Sequence, residues 1–307
     1  MPAAASTVAP GAPHPGAEAP FALSVDVEDY YQVQAFAHLV PRADWGKYPS
    51  RVGRNTERVL QILAGAGATG TFFVLGRVAR EHPEVVRAIA AGGHEVASHG
   101  MSHLMLTELS PGAFREEVRE SKALLEDLAQ LPVLGYRAPS YSLNATTLWA
   151  LEILAETGYL YDSSVYPIRR RRYGYPGGPV RPARVATGKG VIAEFPMPTV
   201  PIGPLRFPVL AGAYLRLLPR WMSLAATRYH ASRGLPLVVN VHPWELDPDQ
   251  PVIGPSRRAT WTHYARLHST AGTLRAVLSK GPFRDMATRL RELGLIDAAA
   301  PRAGEMR

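Results

Sequence analysis

The segment Ser98-His99-Gly100-Met101-Ser102-His103 places two histidines four residues apart, directly after the strand-like His94-Glu95-Val96-Ala97. A turn of helix starting at the strand end would bring both imidazoles to one side, because residues i and i+4 share a helix face. Two neutral imidazoles at that spacing are half of a divalent metal site, and zinc favours such nitrogen ligands. The pair gains its meaning from other parts of the chain. In Phe21-Ala22-Leu23-Ser24-Val25-Asp26-Val27-Glu28-Asp29 an apolar run ends in three carboxylates. Strand side chains alternate, so Asp26 and Glu28 point the same way while Asp29 begins the loop. The bland alternative is a solvated acidic turn. Against it, three acids crowded at the mouth of an apolar strand repel one another, and a metal ion or an arginine would relieve that repulsion.

Three further segments have the same form, a short apolar run that ends in a reactive group. They are Gly135-Tyr136-Arg137-Ala138-Pro139-Ser140-Tyr141, Tyr159-Leu160-Tyr161-Asp162 and Leu237-Val238-Val239-Asn240-Val241-His242-Pro243. Taken singly they read as a proline turn with a surface arginine, a strand ending in an acid, and a structural histidine ahead of a proline that stops the ladder.

Taken in order across residues 21 to 244, these segments resemble the motifs of the polysaccharide deacetylase family, also called carbohydrate esterase family 4. That family carries an acidic pair on its first strand, a His-x-x-x-His pair, an Arg-x-Pro-x-Tyr loop, an aspartate-bearing segment and a late Leu-x-His. Val25-Asp26-Val27-Glu28-Asp29-Tyr30-Tyr31-Gln32-Val33, Glu194-Phe195-Pro196-Met197 and His242-Pro243-Trp244-Glu245-Leu246 further resemble a bacterial branch linked to exopolysaccharide and exosortase loci, which is related to allantoinase-like and peptidoglycan-deacetylase-like members. The chain departs from the family where the adjacent Asp-Asp pair becomes Asp-Val-Glu-Asp and where Val241-His242 replaces the usual lead-in.

The resemblance implies an α/β fold, a distorted (β/α)7 barrel, and removal of N-acetyl groups from an amino-sugar polysaccharide by a divalent metal, zinc being the first choice. His99, His103 and one carboxylate would hold the metal. That carboxylate is Glu28 or Asp29, with Glu28 favoured because it shares a strand face with Asp26. Asp26 would be the general base, Arg137 would keep it ionised, and the Tyr141 N–H would face the oxyanion. His242 would protonate the leaving amine, with Asp162 holding it in the right tautomer. The products are acetate and a free amine on a glycan. Two alternatives stand beside this one: another linear or cyclic amide hydrolase of the allantoinase-like type, and a catalytically silent glycan-binding relative.

These residues need a scaffold, and strand and helix patterns alternate through the chain. Asn55–Leu63 reads as a helix, Thr71–Leu75 as a strand and Pro83–Ala91 as a helix. Ser110 can cap a helix with Pro111 at its first position, running to about Ala129. Asn144 would cap another through Leu154, ending at Gly158. The β-α-β-α order predicts a parallel sheet closed or nearly closed into a barrel, with the reactive residues at the strand C-terminal ends where barrel enzymes build their sites. Thr199–Leu218 is proline-rich without clear period and reads as a long loop over the site. Arg169–Arg172 reads as an exposed loop, with a grip on an acidic glycan as the lesser alternative.

The chain has 307 residues, 46% hydrophobic and 20% charged, which fits one enzyme-sized globular domain over 21–296. It has no cysteine, so any zinc must be held by nitrogen and oxygen. A net charge of +8 favours anionic partners, yet no nucleic-acid motif accompanies it. Residues 1–20 lack an apolar core of a signal peptide and are expected to be a disordered leader, and 297–307 a frayed tail. No run of about 18 apolar residues is present, so no transmembrane segment is expected. The resulting expectation is a cytoplasmic protein associated with an envelope polysaccharide assembly system; oligomeric state is left open.

Overall fold

The computed structural model describes residues 7–8, 21–170, 173–254 and 257–297; side chains are described from residue 21, without those of 257–260. Among the described residues, seven parallel strands form the centre: β1 (Phe21–Val27), β2 (Thr71–Val74), β3 (Glu95–Ser98), β4 (Gly135–Tyr136), β5 (Tyr161–Asp162), β6 (Gly190–Glu194) and β7 (Leu237–Val241), and the short Phe283–Arg284 adds a parallel ladder to the start of β1. They lie in the order β6-β5-β4-β3-β2-β1-β7. The register runs Val241 opposite Val25, Val27 opposite Val74, Val74 opposite Ser98, Ser98 opposite Tyr136 and Tyr136 opposite Asp162. The C-terminal ends of the strands are therefore brought level, and the reactive segments share one rim.

The sheet curls as a half-barrel, and among the described residues no ladder joins β7 to β6. One edge is instead covered by Ala183–Thr187, antiparallel to β6, and the other by Leu210–Gly212, which bonds to both sides of Asn240. Period-two alternation decides what faces inward. On β1 the inward row is Ala22, Ser24, Asp26, and its neighbours Phe73, Ala97, Tyr161, Ala193 and Val238 fill the interior. The opposite row, Leu23, Val25 and Val27, packs under the helices with Phe72, Val74 and Val239. Both faces of β1 are buried, as parallel strands require.

Helix α1 spans Val52–Ala66, α2 Gly76–Glu81, α3 Pro83–Ala91, α4 Pro111–Ala129 and α5 Trp149–Glu156. The Ser110 hydroxyl accepts from the Ala113 N–H, so the start of α4 follows its cap. Asn144 does not begin a helix. Its Oδ1 accepts from Thr146 and closes a turn five residues ahead of α5, an alternative that short amide side chains offer the backbone. The expected loop at 199–218 is also different: Thr199–Ile202 and Leu205–Pro208 pair as a hairpin, and Ala213–Leu217 is helical. Prolines at 201, 204 and 208 mask the strand period there.

Of the expected leader, residues 1–6 and 9–20 lie outside the described residues, whereas Thr7–Val8 pairs with Val185 and Arg184 and is not without structure. Residues 298–307 of the expected tail, and Arg171–Arg172 of the arginine run, also lie outside them. No helix among the described residues is long and apolar enough to cross a membrane.

Candidate active site

Arg137 follows β4 and is fully buried. Burying a guanidinium is costly unless its charge and its donors are matched. Here Nη1 donates to Asp26 Oδ1 at 2.7 Å, Asn240 Oδ1 at 2.7 Å and Ser24 Oγ at 2.9 Å. Nε donates to the Ser163 carbonyl at 3.0 Å and Nη2 to Ser163 Oγ at 2.9 Å, while the guanidinium lies 4.1 Å over the Phe73 ring. Asp26 Oδ2 accepts from Asn240 Nδ2 at 3.2 Å. Burial alone would push the Asp26 carboxyl up, but the Arg137 charge, helped by His99 and His242, holds it below the ordinary range. Asp26 is therefore an ionised carboxylate, fixed on both oxygens.

His99 leaves the end of β3 with its Nδ1 on the Arg137 carbonyl at 2.9 Å. A carbonyl only accepts, so Nδ1 carries the proton and the Nε2 lone pair is free. Burial lowers the His99 pKa to about 4, which keeps the ring neutral. The pair with His103 is not made by a helical turn, contrary to expectation. Gly100 and His103 take left-handed backbone angles (φ +76° and +59°), and the chain doubles back between them. Glu117 of α4 drives this turn by accepting from the N–H groups of Met101 and Ser102. Arg42 ties down its end through the Ser102 and His103 carbonyls.

Glu28 completes a buried triad with His99 and His103, whose ligand atoms lie within 4.8 Å of one another. Glu28 Oε2 and His103 Nε2 are 2.7 Å apart, yet no hydrogen bond reaches Oε2 among the described residues. Burial raises the Glu28 pKa, but the surrounding His103, His242 and His99 bring it down to about 2. Two imidazole nitrogens and a carboxylate oxygen that accepts no hydrogen bond, with no thiolate, fit a hard to borderline divalent ion such as zinc.

Across the cavity, His242 follows β7 with Nε2 3.7 Å from Asp26 Oδ2 and 3.6 Å from Glu28 Oε1. Its Nδ1 and its backbone N–H both meet Glu245 Oε2, at 3.1 and 3.0 Å. Burial lowers the His242 pKa, but the Glu245 hydrogen bond and charge, with Glu28 and Asp26, raise it to about 9. Glu245 is itself held by Arg216 Nε at 3.1 Å. Trp244 stacks on His242 and donates to Glu28 Oε1 at 3.3 Å. Gly212 packs so closely on His242 that a Cβ there would lie 3.2 Å from its ring, at a backbone φ of +47°. These groups open into a cavity of about 650 Å³ walled by Tyr141, Tyr166, Tyr173 and Tyr214.

Asp26, Glu28, His99, His103, Arg137 and His242 thus come together, and three expectations need correction. Asp29 is not at the metal cluster: its oxygens accept from Tyr30, Ser50, Arg51 and Val52, so it caps the start of α1. Asp162 does not hold His242; it accepts from the Ser164 N–H and hydroxyl and lies against Glu194 on β6. Since Ser164 Oγ accepts from the Ala138 N–H at 2.7 Å, Asp162 braces the loop that carries Arg137. The Tyr141 N–H donates to the Ala138 carbonyl at 3.1 Å inside its own turn and is not a free oxyanion donor.

Three contributors were not anticipated. Ser24 and Asn240 share the inward rows of Asp26 and His242, two residues before each, so strand period could have found them. Glu245 stands three residues after His242 ahead of a short helical turn, the capping-box spacing.

Residues 44–161 match the family model described as Polysaccharide deacetylase, and residues 163–291 match the one described as Domain of unknown function (DUF3473). A chitooligosaccharide deacetylase of Rhizobium leguminosarum bv. trifolii is 39% identical over 83 residues, 27% of this chain and 39% of that protein. A peptidoglycan-N-acetylglucosamine deacetylase of Bacillus cereus is 29% identical over 89 residues, 29% of this chain and 41% of that one. The chain spans about two-fifths of the length of these curated relatives. A crystal structure of a Mycobacterium smegmatis protein assigned to the polysaccharide deacetylases superposes with a TM-score of 0.62 at 22% identity, covering 95% of both chains, which shows a common fold.

Proposed function

The chain belongs to the polysaccharide deacetylase family, and we propose that it is a divalent-metal hydrolase that removes N-acetyl groups from an amino-sugar polysaccharide of bacterial exopolysaccharide or cell-envelope metabolism. The observation that carries this reading is the Glu28–His99–His103 triad lying beside an ionised, doubly fixed Asp26, with His242 opposite. The DUF3473 match fits the exopolysaccharide-associated branch. The names of the curated relatives favour an amino sugar over a cyclic ureide. A machinery with every charged member present also favours chemistry over silent glycan binding.

Glu28 Oε2, His99 Nε2 and the His103 ring would hold the ion, zinc being the best match to this donor set. The chemistry such an ion supplies when bound is Lewis acidity toward an amide carbonyl and an acidified water. Asp26, ionised at neutral pH, accepts the proton of the attacking water. Arg137 and Asn240 hold its two oxygens, so the base is aimed without reorganising. His242 carries a proton on Nε2 because Glu245 and the neighbouring acids favour its charged form, and it delivers that proton to the departing amine nitrogen. Glu245 fixes the ring by bonding Nδ1, the part expected of Asp162, and the rigid Pro243 turn keeps both in place. The Tyr141 and Tyr166 rings, 5.5 Å apart, make a wall against which a pyranose can lie.

The test is acetate release from N-acetylated oligosaccharides by protein of known metal content. Release that stops with a chelator and returns with metal supports the reading. Failure on chitooligosaccharides and peptidoglycan fragments, with turnover of a cyclic ureide, would overturn it.

A further inference from the structure

We propose that the glycan taken by this site is anionic, and that Arg170 at the cavity mouth selects it by binding a carboxylate or phosphate on the sugar next to the N-acetylated one. This rests on the deacetylase reading above. Of the acids that line the cavity, Asp26 is matched by Arg137 and Glu245 by Arg216 and His242, and Glu28 would be matched by the ion it helps to hold. They leave little uncompensated negative charge facing the mouth. The two lining arginines differ. Arg216 is buried and spent on Glu245 and on the carbonyls of Thr262 and Ala265.

Arg170 is exposed and, among the described residues, forms no ion pair with a carboxylate. It is nevertheless held in place, since Nη2 donates to the Tyr214 hydroxyl at 3.2 Å, and that hydroxyl lies 3.3 Å from Tyr173 OH. A phenol is neutral, so the guanidinium keeps its full charge and most of its planar set of donors, the geometry that matches carboxylate and phosphate. A ladder of rings leads from the reacting groups to this cation. Arg137 lies 5.4 Å over Tyr141, Tyr141 meets Tyr166 at 5.5 Å, and Tyr166 meets Tyr173 at 6.0 Å. From Tyr141, two ring contacts reach Tyr173, whose hydroxyl meets that of Tyr214, the partner of Arg170, so the cation and the reacting groups line one continuous cavity. Arg169 is exposed beside it, and the chain's net charge of +8 draws an anionic polymer from a distance.

The experiment measures kcat/KM for acetate release, and affinity by calorimetry, with the full metal-loaded chain. The probes are three tetrasaccharides: neutral β-1,4-linked N-acetylglucosamine, the same with one phosphate on an adjacent sugar, and alternating hexuronate and N-acetylglucosamine. The expected result is a preference of about tenfold or more for one of the anionic probes, which also names the anion. That preference should shrink with salt, fall about tenfold in Arg170→Gln and survive in part in Arg170→Lys. The proposal is overturned if the neutral probe is preferred, or if Arg170→Gln leaves the ratio between probes unchanged. Should none of the three release acetate, the deacetylase reading fails, and the calorimetric ratio still decides whether Arg170 selects an anion.

Discussion

Replacing Glu95 with glutamine should remove a large part of the pH dependence of stability. Glu95 sits at the opposite end of the half-barrel from the reactive groups, buried on β3, with its oxygens accepting from Thr71 Oγ1, Tyr161 OH and the Ala287 N–H. Burial, with a smaller push from Asp285, raises its pKa from 4.5 to about 7 against the pull of those three bonds. The folded state thus holds this proton more tightly than the unfolded chain. Stability from this group is fully present below the unfolded value of 4.5, is lost as pH climbs toward about 7, and is flat above it. The whole change is worth roughly 3.4 kcal/mol, of which roughly 2.5 falls between pH 5 and pH 8. Glutamine cannot ionise, so Glu95→Gln should gain roughly 2.5 kcal/mol on the wild type over that interval, whatever constant offset its altered bonding adds. Urea unfolding followed by circular dichroism at several pH values, with excess chelator throughout so that metal binding does not contribute, measures it. Parallel stability curves for the two proteins would refute the argument.

The remaining predictions concern the site. His99→Ala or His103→Ala should abolish stoichiometric metal binding in elemental analysis, since two ligands hold an ion poorly, whereas Asp29→Ala should keep the metal and lose about 1 kcal/mol of stability as a helix cap. Asp26→Asn should keep the metal while kcat for acetate release falls about 10²-fold or more; loss of metal in that variant would mean that Asp26 is a ligand. Glu245→Gln should lower kcat about 10²-fold and move the alkaline limb of the rate profile to lower pH, because His242 loses its proton sooner. Asp162→Asn should leave that limb in place, and the opposite pattern would restore Asp162 as the partner of His242.

Much of the architecture was legible because strand and helix periods differ and because each reactive residue closes an apolar run. The ends of β1, β3, β4, β5 and β7 follow directly from Asp26, His99, Arg137, Asp162 and His242. What escaped was local backbone geometry and partner choice. The turn between His99 and His103 depends on Glu117 sixteen residues from Met101, and a spacing of four cannot distinguish that turn from a helix. Asp29 and Glu28 differ only in which of them stays on the strand face, and the capping of α1 by Asp29 comes from Ser50–Val52, distant in sequence. Asp162 and Glu245 both stand near reactive segments. Only the bond of Glu245 to His242 Nδ1, made within one short turn, shows which acid serves the histidine.

The metal dependence of this site is tested most directly by a metal titration read by two signals at once. Chelator-stripped protein is titrated with zinc while bound metal and acetate release from an N-acetylated oligosaccharide are followed together. One ion per chain is expected at the Glu28–His99–His103 triad, with acetate release rising in proportion and reaching its plateau at one equivalent. Full acetate release from stripped protein, or undiminished stoichiometric binding with activity in His99→Ala, would contradict it.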